Sequence, residues 1–186
     1  MIPRVHRPIG LLLCCLAVAA ALAADGNLNL SQSSLVATFK QQHAPVDASF
    51  KRFSGSIVYD AARPAATTAM LSVDMNSLDI GDDDTDAEVR KPAWFDSTRY
   101  PQATFRSTSV TPGANGHFDV VGTLAIKGKS QTVTIAVTVK QVGNANAFDG
   151  SFTLSRKVFG IGDPSWDSVL DDAVAVRFHL LLASGA

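Results

Sequence analysis

Alternation of apolar and polar residues constrains the fold of this chain more than any other feature. Residues 132–139 read Thr-Val-Thr-Ile-Ala-Val-Thr-Val, so every second residue is a β-branched apolar one. Successive side chains of a strand point to opposite faces, and this pattern therefore predicts a strand with one buried face. Weaker versions of the pattern occur at residues 35–40, 50–59, 68–75, 103–110, 118–126, 148–154 and 174–182. Because no segment shows a sustained helical period, the sequence predicts an all-β protein of eight strands.

The connections between these segments are short and rich in Gly, Pro and Asn. Lys-Gly-Lys at residues 127–129 predicts a tight hairpin, and residues 112–116 and 143–146 predict further turns. Short connections favour antiparallel neighbours. Eight such strands can form either a closed barrel or a two-sheet sandwich.

A change of parity within one segment favours the barrel. Phe50 occupies an even position, whereas the apolar residues that follow, Phe53, Ile57 and Tyr59, occupy odd ones. This change predicts a bulge or sharp bend near residues 51–52. Bent strands allow a sheet to close on itself, so we expect an eight-stranded antiparallel barrel.

One short helix is predicted between the strands. Thr85 and Glu88 have the spacing of a capping box, and Pro92 marks the end of a helix over residues 86–91. Trp94 and Phe95 follow directly. We expect this helix and its aromatic pair to lie near one end of the barrel.

The first residues have the pattern of a secretory leader. Arg4 and Arg7 precede an apolar run over residues 9–22, and Ala-Leu-Ala closes that run at Ala23. A run this short predicts a cleaved signal peptide, because a membrane span needs about 20 apolar residues. An uncleaved anchor is the alternative. The sequence thus predicts a leader at residues 1–23, a single domain at residues 24–186, and a periplasmic location.

Removal of the leader changes the chemistry available to the mature chain. Cys14 and Cys15 are the only cysteines, so cysteine nucleophiles, disulfides and thiolate metal sites are excluded. Loss of Arg4 and Arg7 leaves 14 basic against 17 acidic residues. This mildly acidic balance argues against nucleic-acid binding, which requires a basic surface.

Motifs for catalysis and cofactor binding are absent from the sequence. His43, His117 and His179 share no ligand spacing, and no nucleophile elbow, phosphate-binding loop or dinucleotide fingerprint occurs. We therefore expect no enzymatic activity, no cofactor and no metal. An enzyme acting on a bound lipid would need a base and a nucleophile in position, and the sequence identifies no such pair.

Two acidic segments stand out. The first contains Asp79, residues 82–84 and Asp86, and the second contains Asp163, Asp167, Asp171 and Asp172. Neither fits the spacing of a calcium-binding loop. A solvated turn leading into a helix N-terminus explains the first segment, and a solvated loop explains the second.

The positive signal is apolar. The chain has ten Phe and two Trp residues, and the predicted inner faces mix Phe with small residues such as Ala37, Gly122 and Gly150. Large and small residues facing one lumen are consistent with a tunnel. The alternative is that these residues simply fill a core.

Four segments together resemble the YceI-like family of bacterial periplasmic proteins. They are residues 49–57, 77–105, 122–128 and 152–162. The most specific part is Trp-Phe-Asp at residues 94–96, followed by Tyr-Pro-x-x-x-Phe at residues 100–105. The resemblance extends over about residues 28–182. One departure is that residues 31–34, Ser-Gln-Ser-Ser, stand where many relatives carry His-Ser.

The resemblance implies a lipocalin-like antiparallel barrel with an elongated apolar tunnel and no enzymatic activity. It implies binding of long isoprenoid amphiphiles such as isoprenoid quinones or polyprenyl phosphates. Relatives also occur beside or fused to cytochrome-b561-type membrane proteins, which makes a membrane redox protein a candidate partner. The rival interpretation is an interaction module with a filled core. A homodimer would be an ordinary outcome for either.

Inward parity then predicts the residues that contact the ligand. They are Phe39, Phe53, Ile57, Leu71, Val73, Phe105, Val120, Leu124, Ile135, Val137, Phe152, Leu154 and Phe178, with Trp94 and Phe95 near one end. Arg156, Lys157 and Trp94 are candidates for contact with the head group. Arg156 has an equally good alternative role as a hydrogen-bond donor that braces the loop at Phe159 and Gly160.

Overall fold

The computed structural model describes residues 28–182, and the predicted leader lies outside them. Within these residues the chain forms ten strands and one α-helix. They are β1 (Ser34–Gln41), β2 (Ala44–Phe50), β3 (Phe53–Val58), β4 (Thr68–Asp74), β5 (Leu78–Asp79), α1 (Asp83–Val89), β6 (Gln102–Pro112), β7 (His117–Ile126), β8 (Lys129–Val142), β9 (Ala145–Ser155) and β10 (Ala173–Leu181). No helix in this range is long and apolar enough to cross a membrane.

The ten strands form one antiparallel sheet in the order β3-β4-β6-β7-β8-β9-β10-β1-β2-β5. Strands β2 and β3 lie near opposite ends of this order, yet only Lys51 and Arg52 separate them in sequence. They are therefore two halves of one bent strand, and the sheet must curl to bring its ends together. The all-β antiparallel barrel with a short helix is thus confirmed, and the bend lies at the predicted residues.

The strand count is ten rather than the predicted eight. The two additional strands are β2, which pairs with β1 through a turn at Gln42 and His43, and the two-residue β5, which pairs with β2. The apolar residues of β2 do alternate, but Pro45 lies among them. Proline is tolerated at sheet edges and weakens the sequence signal of a strand, so β2 was not predicted.

The helix begins three residues earlier than predicted. Its N-cap is Asp82, whose carboxylate accepts hydrogen bonds from the backbone N–H (2.8 Å) and the hydroxyl of Thr85. The predicted capping box at Thr85 is therefore wrong, because the aspartate three residues before it satisfies the free N–H groups. The side chain of Glu88 instead pairs with Lys91.

Hairpins and one irregularity position the inner face of the sheet. Ile126 pairs with Lys129, and both intervening residues have positive φ (Lys127 48°, Gly128 72°), which confirms the predicted tight hairpin. The register of β6 against β7 shifts between Ser107 and Ser109. This bulge changes which parity of β6 faces inward along the second half of the strand.

Candidate functional site

The curled sheet encloses a cavity of about 540 Å³. Every strand contributes to its wall, β5 through Leu78 alone, and α1 with the following segment lies at one end. Nearly all of the lining side chains are aliphatic or aromatic. A cavity of this size and polarity is typical of a binding site for a small apolar molecule.

The fifteen residues predicted to line the lumen all lie on the cavity wall, and so does Arg156. Many of them, such as Phe39, Leu71 and Phe152, are only half-buried although they point inward. Side chains of a close-packed core would be fully buried. Their partial exposure therefore reflects the space they enclose, and their contact with a ligand stays a prediction.

Several wall residues were not among those predicted. Phe118 and Phe148 follow the same parity as the predicted residues of their strands, so the pattern could have found them. Val110 could not be found, because the bulge in β6 reverses its parity relative to Phe105. Tyr59 packs edge to face on Phe118 and Phe148, with ring centroids 6.3 and 5.4 Å away. All three aromatic residues line the cavity.

The glycines on the inner face were expected to leave room for a ligand, but aromatic rings occupy the space above two of them. A Cβ atom at Gly150 would collide with the ring of Phe178, and one at Gly122 would collide with the ring of Phe105. Each glycine thus gives space to an aromatic ring from a neighbouring strand. The free volume therefore does not lie over Gly122 or Gly150.

Arg156 reaches the cavity wall but its guanidinium is committed to the protein. The residue is only 4% exposed. Its Nη1 donates to the carbonyl of Ile161 (3.0 Å), its Nη2 to the carbonyl of Leu170 (3.1 Å) and to Asp167 (2.7 Å), and its Nε to the carbonyl of Asp171 (3.1 Å). Four of the five N–H groups of an arginine are therefore occupied. This geometry matches the bracing role more closely than contact with a head group.

Asp167 is the anionic partner in this brace. It forms ion pairs with Lys157 (2.9 Å) and with Arg156 (2.7 Å). Hydrogen bonds from Lys157 and then from Arg156 lower the pKa of the Asp167 carboxyl. Lys157 is absent from the cavity wall, so its predicted contact with a head group finds no geometric support.

The cavity wall is exposed to solvent where α1, the end of β1 and the loop before β10 contribute to it, and this part of the wall is the open end. The exposed residues on the wall at this end are Gln41, Asp84, Thr85, Trp166 and Asp171. The segment after α1 contacts the loop through Trp94, whose ring centroid lies 5.9 Å from that of Trp166. Trp94 thus lies on the cavity wall beside this loop.

The histidines are dispersed. His43 lies in the β1–β2 turn, His117 contacts Thr138, and His179 contacts Asp149 on the outer face of the sheet. Within residues 28–182 no three His, Asp or Glu side chains are placed to hold a metal ion. None of these histidines lines the cavity.

The fold and the cavity define a class of protein: a curled antiparallel β-barrel with an apolar binding cavity. The sequence profile of the YceI-like domain matches residues 27–182, and the chain belongs to this family. Two relatives are UPF0312 proteins. The one from Vibrio cholerae is 30% identical over 151 residues (76% of this chain, 80% of that protein), and the one from Shewanella baltica is 32% identical over 157 residues (78% and 81%).

Solved structures share the fold. The crystal structure of Burkholderia cenocepacia BcnA superposes with a TM-score of 0.80 at 38% identity, covering 83% of this chain and 98% of that one. A domain from Saccharophagus degradans, described as polyisoprenoid-binding and implicated in plant cell wall breakdown, gives a TM-score of 0.67 at 19% identity, covering 85% and 97%. At that identity the second likeness shows the fold alone.

Proposed function

We propose that this protein is an exported, non-enzymatic carrier that binds the chain of a long isoprenoid amphiphile inside the barrel. The observation that carries the proposal is the apolar cavity of about 540 Å³. Each CH₂ group buried there contributes about 0.8 kcal/mol. Ten buried carbons thus provide several kcal/mol before the costs of ordering the chain and the protein.

Membership of the YceI-like family supports the ligand class, as does the neighbour described as a polyisoprenoid-binding domain. The choice between an isoprenoid quinone and a polyprenyl phosphate belongs to the proposal. So does the periplasmic location, which cell fractionation combined with N-terminal sequencing of the mature chain tests. We expect the mature protein to begin at Ala24.

A chain-length series tests the proposal directly. Isoprenyl alcohols of two to eight units would be titrated against the protein while the fluorescence of Trp94 and Trp166, both at the cavity wall, is recorded. Affinity should rise about tenfold or more per added unit, because each unit buries five carbons, until the chain fills the cavity. Affinity that does not depend on chain length would contradict binding of the chain in the barrel.

The rival function is an interaction module with a filled core, accessory to a cytochrome-b561-type membrane redox protein. The enclosed cavity disfavours a filled core. A membrane redox partner and a homodimer remain predictions. Crosslinking in envelope fractions tests the partner, and sedimentation of the purified protein tests the dimer.

A further inference from the structure

The two acidic segments of the sequence converge on the open end of the cavity. Asp84 of α1 belongs to the first segment, and Glu88 follows that segment on the same helix. Asp171 belongs to the second segment. All three residues line the cavity wall. The segments lie far apart in the chain. The contact between Trp94 and Trp166, and a hydrogen bond from Gly162 N–H to the carbonyl of Ala93 (3.0 Å), hold them together.

Two of the three carboxylates carry an uncompensated charge. Glu88 is paired with Lys91. Asp84 and Asp171 are exposed, and neither forms an ion pair with any residue in the range 28–182. A head group held at this opening would therefore lie beside two free negative charges.

Within residues 28–182 no Lys or Arg with an unpaired charge lines the cavity. Among the described residues Arg156 is the only Lys or Arg on the cavity wall, and its guanidinium is bound to Asp167 and to three backbone carbonyls. Lys157 is also paired with Asp167. Lys40 lies between Phe39 and Gln41, which face inward, so its own side chain lies on the outer face of β1.

We propose that this acidic opening selects the head group of the ligand: the cavity takes isoprenoid amphiphiles with an uncharged or cationic head group and discriminates against those with a phosphate. The inference rests on the proposed function, because it concerns the same cavity. Anionic lipid recognition normally uses free Arg or Lys side chains placed to contact the phosphate. Here the apolar chain would enter past carboxylates instead.

Electrostatics sets the size of the effect. A phosphate monoester carries a charge of about −1.5 to −2 at pH 7. Its repulsion by two exposed carboxylates in a water-like dielectric amounts to about a tenfold loss of affinity at low salt. Salt at 1 M shortens the screening length to about 3 Å, so the discrimination should largely disappear there.

Three ligands with one chain test the proposal: geranylgeraniol, geranylgeranylamine and geranylgeranyl phosphate, titrated at low and at high salt. At low salt the amine and the alcohol should each bind at least about tenfold more tightly than the phosphate. Phosphate binding as tight as that of the alcohol at low salt would overturn the inference while leaving the proposed function intact. Failure of all three ligands to bind would overturn both.

Charge reversal at the opening provides the second arm. The variants Asp84→Lys and Asp171→Lys should each raise the affinity for the phosphate several-fold relative to the affinity for the alcohol. Asp119→Lys is the matched control, because Asp119 is exposed on β7 and absent from the cavity wall. If Asp119→Lys raised phosphate affinity as much as the two variants at the opening, net charge rather than the opening would be responsible, and the inference would be wrong.

Discussion

The ring of Phe178 on β10 lies directly over Gly150 on β9, its cross-strand partner. A Cβ atom at position 150 would occupy the space of this ring. The glycine therefore lets an aromatic side chain lie flat against the inner face of the sheet and form part of the cavity wall. The same relationship holds between Phe105 and Gly122.

Substitution Gly150→Ala should destabilise the protein by about 1–3 kcal/mol, because the added methyl group displaces the ring of Phe178. Urea denaturation measures the loss. In a Phe178→Leu background the same glycine substitution should cost markedly less. Equal losses in the two backgrounds would show that the ring is not the cause.

Filling the cavity should abolish ligand uptake. Val137→Trp and Leu124→Trp each place a large ring among inward side chains, so both should weaken binding of a long isoprenyl alcohol by at least about tenfold, the equivalent of about two buried CH₂ groups. Ala136→Trp is the control, since Ala136 is the exposed neighbour of Val137 on the same strand. Unchanged uptake in a folded Val137→Trp protein would show that the predicted lining is wrong.

Replacing Arg156 should affect stability more than binding. Arg156→Lys removes the fork that joins three backbone carbonyls and Asp167, and losses at a buried charged network are about 3–5 kcal/mol. Thermal unfolding measures the loss. Below the unfolding transition, the affinity for an uncharged isoprenyl alcohol should change less than about threefold. This is less than the ~1.4 kcal/mol of binding free energy that corresponds to a tenfold change in affinity. A large loss of affinity in a protein of unchanged stability would instead assign Arg156 to the ligand.

The ion pairs of Asp167 should make stability depend on pH. The pKa of its carboxyl is lowered in the folded state by Lys157 and Arg156, so the folded state favours the charged form. This contribution is fully present above the unfolded pKa of about 3.9 and is lost as the pH falls through the lower folded pKa. Asp167→Asn should therefore be less stable than the parent at pH 7, and the two should converge below about pH 4.

Denaturation curves at a series of pH values check this convergence. Asp119→Asn changes the net charge equally at an exposed position of β7 and controls for general charge effects. A stability difference for Asp167→Asn that persisted undiminished at pH 2–3 would show that the carboxylate charge is not its source.

Most of the strands could be predicted because apolar and polar residues alternate in the sequence according to the face of the sheet on which each side chain lies. Val133 to Val139 show this most clearly, and the inward residues of β4 and β8 follow from parity alone. Val110 was not predicted because one extra residue in β6 reverses parity, and β2 was not predicted because a proline, Pro45, lies within its short alternating run. Local irregularities of this kind leave little trace in hydrophobic periodicity.

The candidate site was predictable on its wall but not at its opening. The wall consists of residues whose parity the sequence records. The opening depends on the contact between Trp94 and Trp166, which brings α1 beside the loop before β10. The sequence predicts that the two acidic segments are separate solvated turns. In the fold, residues of both segments line one cavity. Such convergence is a property of the tertiary fold, and spacing within the chain does not encode it.

Native mass spectrometry of protein purified from its own cell envelope would show whether the barrel holds an isoprenoid chain. We expect a roughly one-to-one adduct, whose extracted lipid has an isoprenoid mass and a head group without phosphate. Val137→Trp should be recovered without this adduct. If the protein carried no lipid, and took none up from isoprenoid quinones or polyprenyl alcohols offered to it, the proposed binding of an isoprenoid chain would be wrong.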